Sequence, residues 1–189
     1  MPKSLVVLAC SLAACATAAA PEPASVASAG APVAGSASGT TSAPLGIPNE
    51  RAPLPSVLTG GMPSAEQLER AQAAGYKTVI SLLPDEEAGD EATQARAAGL
   101  RYRSIPISGP ADLTETHARR LHEAMNEPGA KPLLIHCASG NRAGALLALK
   151  AYYVDQQSKQ QAIELGEHAG LTSLKSTVEA QLEQADGRR

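Results

Sequence analysis

The stretch 132–149 constrains the fold of this 189-residue chain more than any other part of it. It opens with a short apolar run, 132–135, that is typical of a buried strand, and it closes with an apolar run, 145–149, that is typical of a buried helix. Cys137 therefore lies at a strand-to-helix turn. Helix N-termini carry unpaired N–H groups and a partial positive charge, so they bind anions and favour the thiolate form of a cysteine. The stretch predicts a nucleophilic cysteine that faces an anionic ligand.

Arg142 stands where the predicted helix begins, and its planar guanidinium can bind two oxygens of one phosphate or sulfate. The glycine before it is expected to let the loop curl into an anion nest, and the asparagine to stiffen that curl by side-chain to backbone bonds or to face solvent. The alternative is a buried structural cysteine beside a solvated arginine. The loop residues predicted to hold phosphate are Ala138, Ser139, Gly140 and Asn141.

The pattern His136-Cys137, followed by Gly140 and Arg142, resembles the active-site loop of the cysteine-dependent protein tyrosine phosphatase superfamily. Further segments resemble, in the same order, a bacterial branch of small dual-specificity-like phosphatases of the beta-lactamase hydrolase-like or DUF442 type: 78–87, 105–107 and 109–114. The resemblance covers about residues 54–175. It implies that Cys137 attacks phosphorus, that a phosphocysteine forms, and that His136 hydrogen-bonds nearby backbone and tunes the thiolate.

Two departures from that superfamily stand in the loop. Four residues separate Cys137 from Arg142 where five are usual, so the cradle has about one backbone donor fewer and Arg142 is expected to shift relative to the thiolate. Ala143 replaces the serine or threonine that commonly helps the thiolate leave in the second half-reaction. These changes predict slow turnover of the phosphocysteine.

The departing oxygen of a phosphomonoester needs a proton, which a carboxylic acid on a mobile loop could supply. Asp112 is the best candidate, since it lies in a Gly-Pro loop after a predicted strand and matches the acid-bearing loop of the resembling family. Its alternative role is to cap the next helix together with Thr114. Asp85 is the second candidate acid. The acidic cluster is otherwise expected to form a solvated helix N-terminus: Asp85, Glu86, Glu87, Asp90 and Glu91.

Strands alternate with helices along the domain, which predicts an α/β fold with a central, mainly parallel sheet flanked by helices. In such sheets ligands bind at the carboxyl ends of the strands, where the loop after 132–136 would lie. We expect neither a cofactor nor a metal, because arginine and backbone amides supply the charge, and because the three histidines on predicted helices lack metal-ligand spacing.

The chain begins with one cation and a short apolar run, as in a bacterial export signal. Residues 1–15 are predicted to be a signal peptide whose lipobox ends in Cys15, which would be lipidated and anchor the protein to the periplasmic face of a membrane. Cleavage among 16–20 would instead release a soluble periplasmic protein. Residues 16–55 are predicted to be an Ala/Pro/Ser/Gly-rich linker, either a tether or a disordered leader, and 56–189 a phosphatase-like domain.

A net charge of −3 and the absence of Phe and Trp argue against nucleic acid as a partner. The predicted function is therefore an exported phosphatase that hydrolyses phosphomonoesters of proteins or small molecules. Two alternatives stay open. A cysteine that starts a six-residue loop also resembles rhodanese-type sulfurtransferases, and Ala143 fits a domain that binds oxyanions with little or no turnover.

Overall fold

The computed structural model describes residues 44–187. The predicted signal peptide, Cys15 and most of the predicted linker lie outside these residues. Within 44–187, no helix is both long and apolar enough to cross a membrane.

Five strands form one sheet in the order β1-β2-β5-β3-β4. All neighbours in it are parallel except β1, which pairs antiparallel with β2. The strands are β1 Arg51–Leu54, β2 Val57–Gly60, β3 Thr78–Ser81, β4 Arg101–Ser104 and β5 Leu133–His136. The predicted α/β class with a mainly parallel sheet is thus confirmed.

The helices lie between and after the strands, and three of them begin directly after a capping serine or threonine. Ser64 and Ser158 each form a capping box with the glutamine three residues later, and Thr114 accepts the backbone N–H of His117. The helices are α1 Ala65–Ala73, α2 Asp85–Ala88, α3 Glu91–Ala97, α4 Glu115–Asn126, α5 Asn141–Tyr153, α6 Lys159–His168 and α7 Lys175–Asp186, with one 3-10 turn at Pro110–Asp112.

The core surrounds β5 and α5. All four residues of β5 are buried, as expected for a central strand covered on both faces. Helix α5 is buried from Ala143 to Tyr152, which confirms its prediction as a core helix. The sheet thereby holds the end of β5 and the start of α5 in a fixed relation, and the cysteine loop connects them.

The predicted boundary between linker and domain is wrong. Strand β1 lies inside the range 16–55, and Leu45 and Ile47 are each 4% exposed. The carboxylate of Glu50 accepts the backbone N–H groups of both, at 3.1 and 3.2 Å. The sequence composition did not predict that this segment is folded, because its apolar residues are spaced singly among Pro and Gly and show no periodicity. The folded domain therefore includes the described residues from 44 onward.

Candidate active site

Cys137 follows β5 directly and is 1% exposed. Its Sγ accepts the backbone N–H of Gly140 at 3.1 Å. Gly140 has a φ of 92°, the left-handed conformation that favours glycine, and it stands immediately before α5. The loop thus curls around the sulfur as the sequence predicts.

Donors from outside the loop hold two of its carbonyls. The Ser139 carbonyl accepts Asn49 Nδ2 at 3.0 Å, and the Ala138 carbonyl accepts the backbone N–H of Met62 at 3.4 Å. Since the C=O and N–H of one peptide unit point in opposite directions, fixing the Ser139 carbonyl directs the Gly140 N–H towards Cys137. Sequence reasoning missed Asn49, because it lies in the segment predicted to be linker.

The start of α5 supplies further donors. The Gly144 N–H bonds to the Gly140 carbonyl at 3.0 Å and closes the first turn, so the amides of Asn141, Arg142 and Ala143 precede the first intrahelical bond. Such amides are available to an anion. That these amides and the curled loop bind an anion beside the thiol stays a prediction.

Asn141 stiffens the loop by hydrogen bonds to a segment that is distant in sequence, not by bonds to the backbone of the loop itself. Its Oδ1 accepts the backbone N–H of Thr172 at 2.8 Å and that of Leu174 at 3.4 Å, and its Nδ2 donates to Ser173 Oγ at 2.7 Å. These bonds tie the first residue of α5 to the connection between α6 and α7. Side-chain to backbone bonding was predicted here, but the sequence did not show with which residues.

The Arg142 side chain is only 15% exposed and is fixed at two points. Its Nη1 donates to the Ile107 carbonyl at 2.7 Å, and its Nη2 lies 2.5 Å from Glu87 Oε2. Burial lowers the pKa of Arg142, but hydrogen bonding to Glu87 and the negative charges of Cys137 and Glu87 outweigh burial, so the net shift is upward. The guanidinium therefore stays charged and lies within electrostatic reach of the cysteine despite the shortened loop.

Asp112 lies at the end of the 3-10 turn, in the loop that follows Ile107, whose carbonyl binds Arg142. Its Oδ2 accepts the backbone N–H of Ser108 at 2.8 Å. The N-cap of α4 is Thr114, so Asp112 does not cap that helix. The loop that carries Asp112 begins next to the Arg142 guanidinium. The role of Asp112 as the general acid stays a prediction.

The acidic cluster is not simply a solvated helix N-terminus, as the sequence analysis expected. Asp85 and Glu86 are exposed on α2, but Glu87 pairs with Arg142, and Glu91 is buried. A signal for Glu91 existed in the sequence, because it shares a face of α3 with the apolar Ala95, four residues on.

Glu91 lies beside His136. The His136 Nε2 and Glu91 Oε1 are 2.6 Å apart, and both side chains are completely buried. The contact is close, but neither of these two atoms makes a hydrogen bond within the described residues. The other oxygen, Glu91 Oε2, accepts Ser81 Oγ at 2.9 Å and Tyr102 Oη at 3.1 Å. Sequence reasoning placed His136 at the site but missed its carboxylate partner.

Tyr102 keeps its proton at ordinary pH. Burial raises its pKa, a hydrogen bond with Ser81 lowers it, and the charge and hydrogen bond of Glu91 raise it further, to about 12. Tyr102 therefore acts as a hydrogen-bond donor to Glu91.

A mainly parallel sheet flanked by helices, with a cysteine, a curled loop and a fixed arginine at the carboxyl end of its central strand, is the arrangement of the cysteine-dependent phosphatases. The sequence profile of the family described as "Beta-lactamase hydrolase-like protein, phosphatase-like domain" matches residues 58–153. The chain belongs to this family.

Individual proteins agree with this assignment. The chain is 33% identical over 115 residues to a beta-lactamase hydrolase-like protein of Xylella fastidiosa, covering 58% of this chain and 26% of that protein. It is 29% identical over 119 residues to the dual specificity protein phosphatase TpbA of Pseudomonas aeruginosa, covering 61% of this chain and 52% of TpbA. The chain thus spans from about a quarter to about half the length of these curated relatives.

Solved structures share the fold. A DUF442 protein from Shewanella putrefaciens superimposes with a TM-score of 0.58 at 23% identity, covering 76% of this chain and 92% of that one. The family profile and the similarity to TpbA, together with this shared fold, confirm the predicted resemblance to the tyrosine phosphatase superfamily and its DUF442 branch.

Proposed function

We propose that this protein hydrolyses phosphomonoesters in two steps through a phosphocysteine. The observation that carries the proposal is the loop itself, in which the Cys137 sulfur accepts an amide N–H while Arg142 is fixed beside it. This arrangement suits a tetrahedral anion that is attacked from the sulfur side.

In the first step Cys137 Sγ attacks phosphorus, and the bond from phosphorus to the ester oxygen breaks. Asp112 gives its proton to that oxygen, so a neutral alcohol or phenol leaves. The loop amides and Arg142 stabilise the charge on the equatorial oxygens. In the second step water attacks phosphorus, Asp112 takes a proton back, and the thiolate leaves with release of inorganic phosphate.

The test is phosphate release from an aryl phosphate by the protein, its Cys137→Ser variant and its Asp112→Asn variant. We expect Cys137→Ser to lose all detectable release and Asp112→Asn to lose on the order of a hundredfold in kcat. An early burst is expected because Ala143 lacks the hydroxyl that would help the second step. Full activity in Cys137→Ser would rule out the mechanism.

The two alternative functions predict different results for the same purified protein. Ala143 favours an oxyanion-binding module, which would bind phosphate or sulfate tightly but release no product. A sulfurtransferase would move sulfur from thiosulfate to cyanide and leave aryl phosphates intact.

For the substrate we propose phosphorylated proteins or small phosphate esters. Support comes from the name of TpbA as a dual specificity protein phosphatase. A panel of phosphotyrosine peptides, phosphoserine peptides and small esters, ranked by kcat/KM, distinguishes these classes.

We also propose that the protein is exported and anchored by lipid at Cys15, on the strength of the apolar run and small residues before this cysteine. Mass spectrometry of the mature N-terminus tests this in cells expressing the wild type or Cys15→Ser. An acylated Cys15 in the membrane fraction is expected, and an unmodified N-terminus among 16–20 would show simple cleavage instead.

A further inference from the structure

We propose that the connection between α6 and α7, residues 169–174, is part of the active site, and that Asn141 is the positioning residue through which it acts. By holding the Asn141 side chain, the connection fixes the backbone amides at the start of α5. The connection lies outside residues 58–153, which the family profile matches. The inference rests on the proposed function for the anion that these amides bind, but it concerns a segment that the reaction scheme above does not use.

The connection engages both ends of the Asn141 side-chain amide. Its Oδ1 accepts the backbone N–H groups of Thr172 and Leu174 at 2.8 and 3.4 Å, and its Nδ2 donates to Ser173 Oγ at 2.7 Å. A side-chain amide offers two acceptor sites and two donor hydrogens, so three of its four possible bonds are made to one short segment. These bonds fix the orientation of the amide as well as its position.

The connection is itself anchored to the sheet and rests against the cysteine loop. Thr59 of β2 is buried, and its Oγ1 donates to the Ala169 carbonyl at 3.0 Å. Strand β2 is the direct neighbour of β5, which leads into the loop. At Gly170, an added Cβ would lie only 3.3 Å from the carbonyl oxygen of Gly140. The connection therefore has a fixed support in the sheet and a second contact with the loop, besides its bonds to Asn141.

The amides at the start of α5 need such a support. Asn141 is the first residue of α5, and its backbone N–H and that of Arg142 precede the first intrahelical bond. The guanidinium of Arg142 is held separately, by the Ile107 carbonyl and Glu87. The backbone before it is held through the Asn141 side chain. Donors that are already oriented stabilise the charge of a transition state without a cost of reorganisation, and the shortened loop has about one such donor fewer.

The test compares Asn141→Ala with the wild type in the full chain, with two readouts. The first is the concentration of inorganic phosphate that half-protects Cys137 from alkylation by iodoacetamide, followed by mass spectrometry. The second is kcat and KM with an aryl phosphate. We expect phosphate to bind about fivefold more weakly and kcat to fall about tenfold, because misplaced donors stabilise the anion and the transition state less well. A purely structural Asn141 would lower the unfolding midpoint and leave both constants of the folded protein unchanged.

Two further variants make the comparison specific. Ser173→Ala removes one of the three bonds and leaves the two to backbone, so we expect phosphate binding and kcat to fall about threefold. The matched control is Asn126→Ala, which makes the same chemical change at the last residue of α4. The Asn126 Nδ2 donates only within its own helix, to the His122 carbonyl at 2.8 Å. Both constants of this control are expected to equal those of the wild type.

Each outcome supports or overturns the proposal. A folded Asn141→Ala protein with wild-type phosphate binding and kcat would overturn it, and so would an equal loss in Asn126→Ala. If thermal unfolding shows that Asn141→Ala does not fold, Ser173→Ala decides, and unchanged constants there would overturn it.

The two readouts also separate this inference from the proposed function. Protection by phosphate needs no turnover. If phosphate protects a wild type that hydrolyses no ester, and Asn141→Ala weakens that protection, the inference holds and the proposed function fails. If the wild type hydrolyses the ester and Asn141→Ala does so equally well, only the inference fails. A wild-type Cys137 that phosphate does not protect would overturn the inference and the anion site of the proposed function together.

Discussion

At the scale of single residues, the site depends on how one arginine is held. Arg142 is almost buried, and Glu87 and the Ile107 carbonyl between them engage both terminal nitrogens. A guanidinium fixed in this way loses less freedom when it binds an anion, because its orientation is set before the ligand arrives. The Glu87 carboxylate thus fixes the orientation of Arg142, and it also neutralises part of the positive charge of the guanidinium.

Glu87→Gln tests this arrangement. The amide can still accept one hydrogen bond from Arg142 but no longer holds it as an ion pair, so we expect kcat with an aryl phosphate to fall about tenfold. The unfolding free energy should change by less than about 1 kcal/mol, because Glu87 is partly exposed. Steady-state kinetics and urea denaturation measure the two effects. Glu86→Gln serves as control, and an unchanged kcat in Glu87→Gln would show that the pairing does not orient Arg142.

At the scale of elements, the helix that carries Arg142 depends on a close crossing. Gly144 of α5 packs against the end of α6, where an added Cβ would lie 2.6 Å from the Gly166 carbonyl oxygen and 2.8 Å from Leu171 Cα. These neighbours are backbone atoms, which cannot move aside as a flexible side chain can. The crossing also brings Thr172 within reach of Asn141, so it supports the loop.

Gly144→Ala should therefore destabilise the protein, although alanine is the better helix former by about 1 kcal/mol. We expect the free energy of unfolding to fall by about 2 kcal/mol, since the helices must separate. Gly187→Ala is the matched control, because its nearest neighbours would lie 3.6 Å or more from the new methyl group. Urea denaturation of both variants gives the comparison, and equal midpoints would contradict the packing argument.

At the scale of the whole molecule, the segment before β2 completes both the sheet and the site. It adds the edge strand β1, buries Leu45 and Ile47, and places Asn49 against the Ser139 carbonyl. A phosphatase-like domain cut at the boundary suggested by composition would lack all three.

We predict that a fragment 56–189 is less stable than a fragment 44–189 by about 4 kcal/mol, from the lost burial of Leu45 and Ile47. The rate at which Cys137 reacts with an alkylating reagent should also differ between the two fragments, because the Ser139 carbonyl loses the Asn49 donor in the shorter one. Urea midpoints of the two fragments test the first point. Asn49→Ala in the longer fragment isolates the second, because it removes the donor and leaves the apolar contacts. Identical midpoints for the two fragments would show that 44–55 is only a linker.

Local patterns explain what could be predicted. Ser64, Thr114 and Ser158 begin their helices as capping residues, and the apolar run before Cys137 forms the central strand. Each of these features depends on residues within a few positions of one another. Asn49 and Glu87 could not be assigned in this way, because they lie 90 and 55 residues from their partners Ser139 and Arg142.

The sequence by itself determined the α/β class, the order of elements and the Cys137 to Arg142 loop, because alternating periodicities, caps and one motif are local properties of the chain. Only the tertiary structure decided which carboxylate meets which cation. It buried Glu91 against His136, turned Glu87 to Arg142 and folded 44–54 onto the sheet. The physical reason is that a run of acidic residues, taken alone, predicts side chains exposed to water. Only the packing of elements that are distant in sequence buries some of these carboxylates and brings them against particular cations.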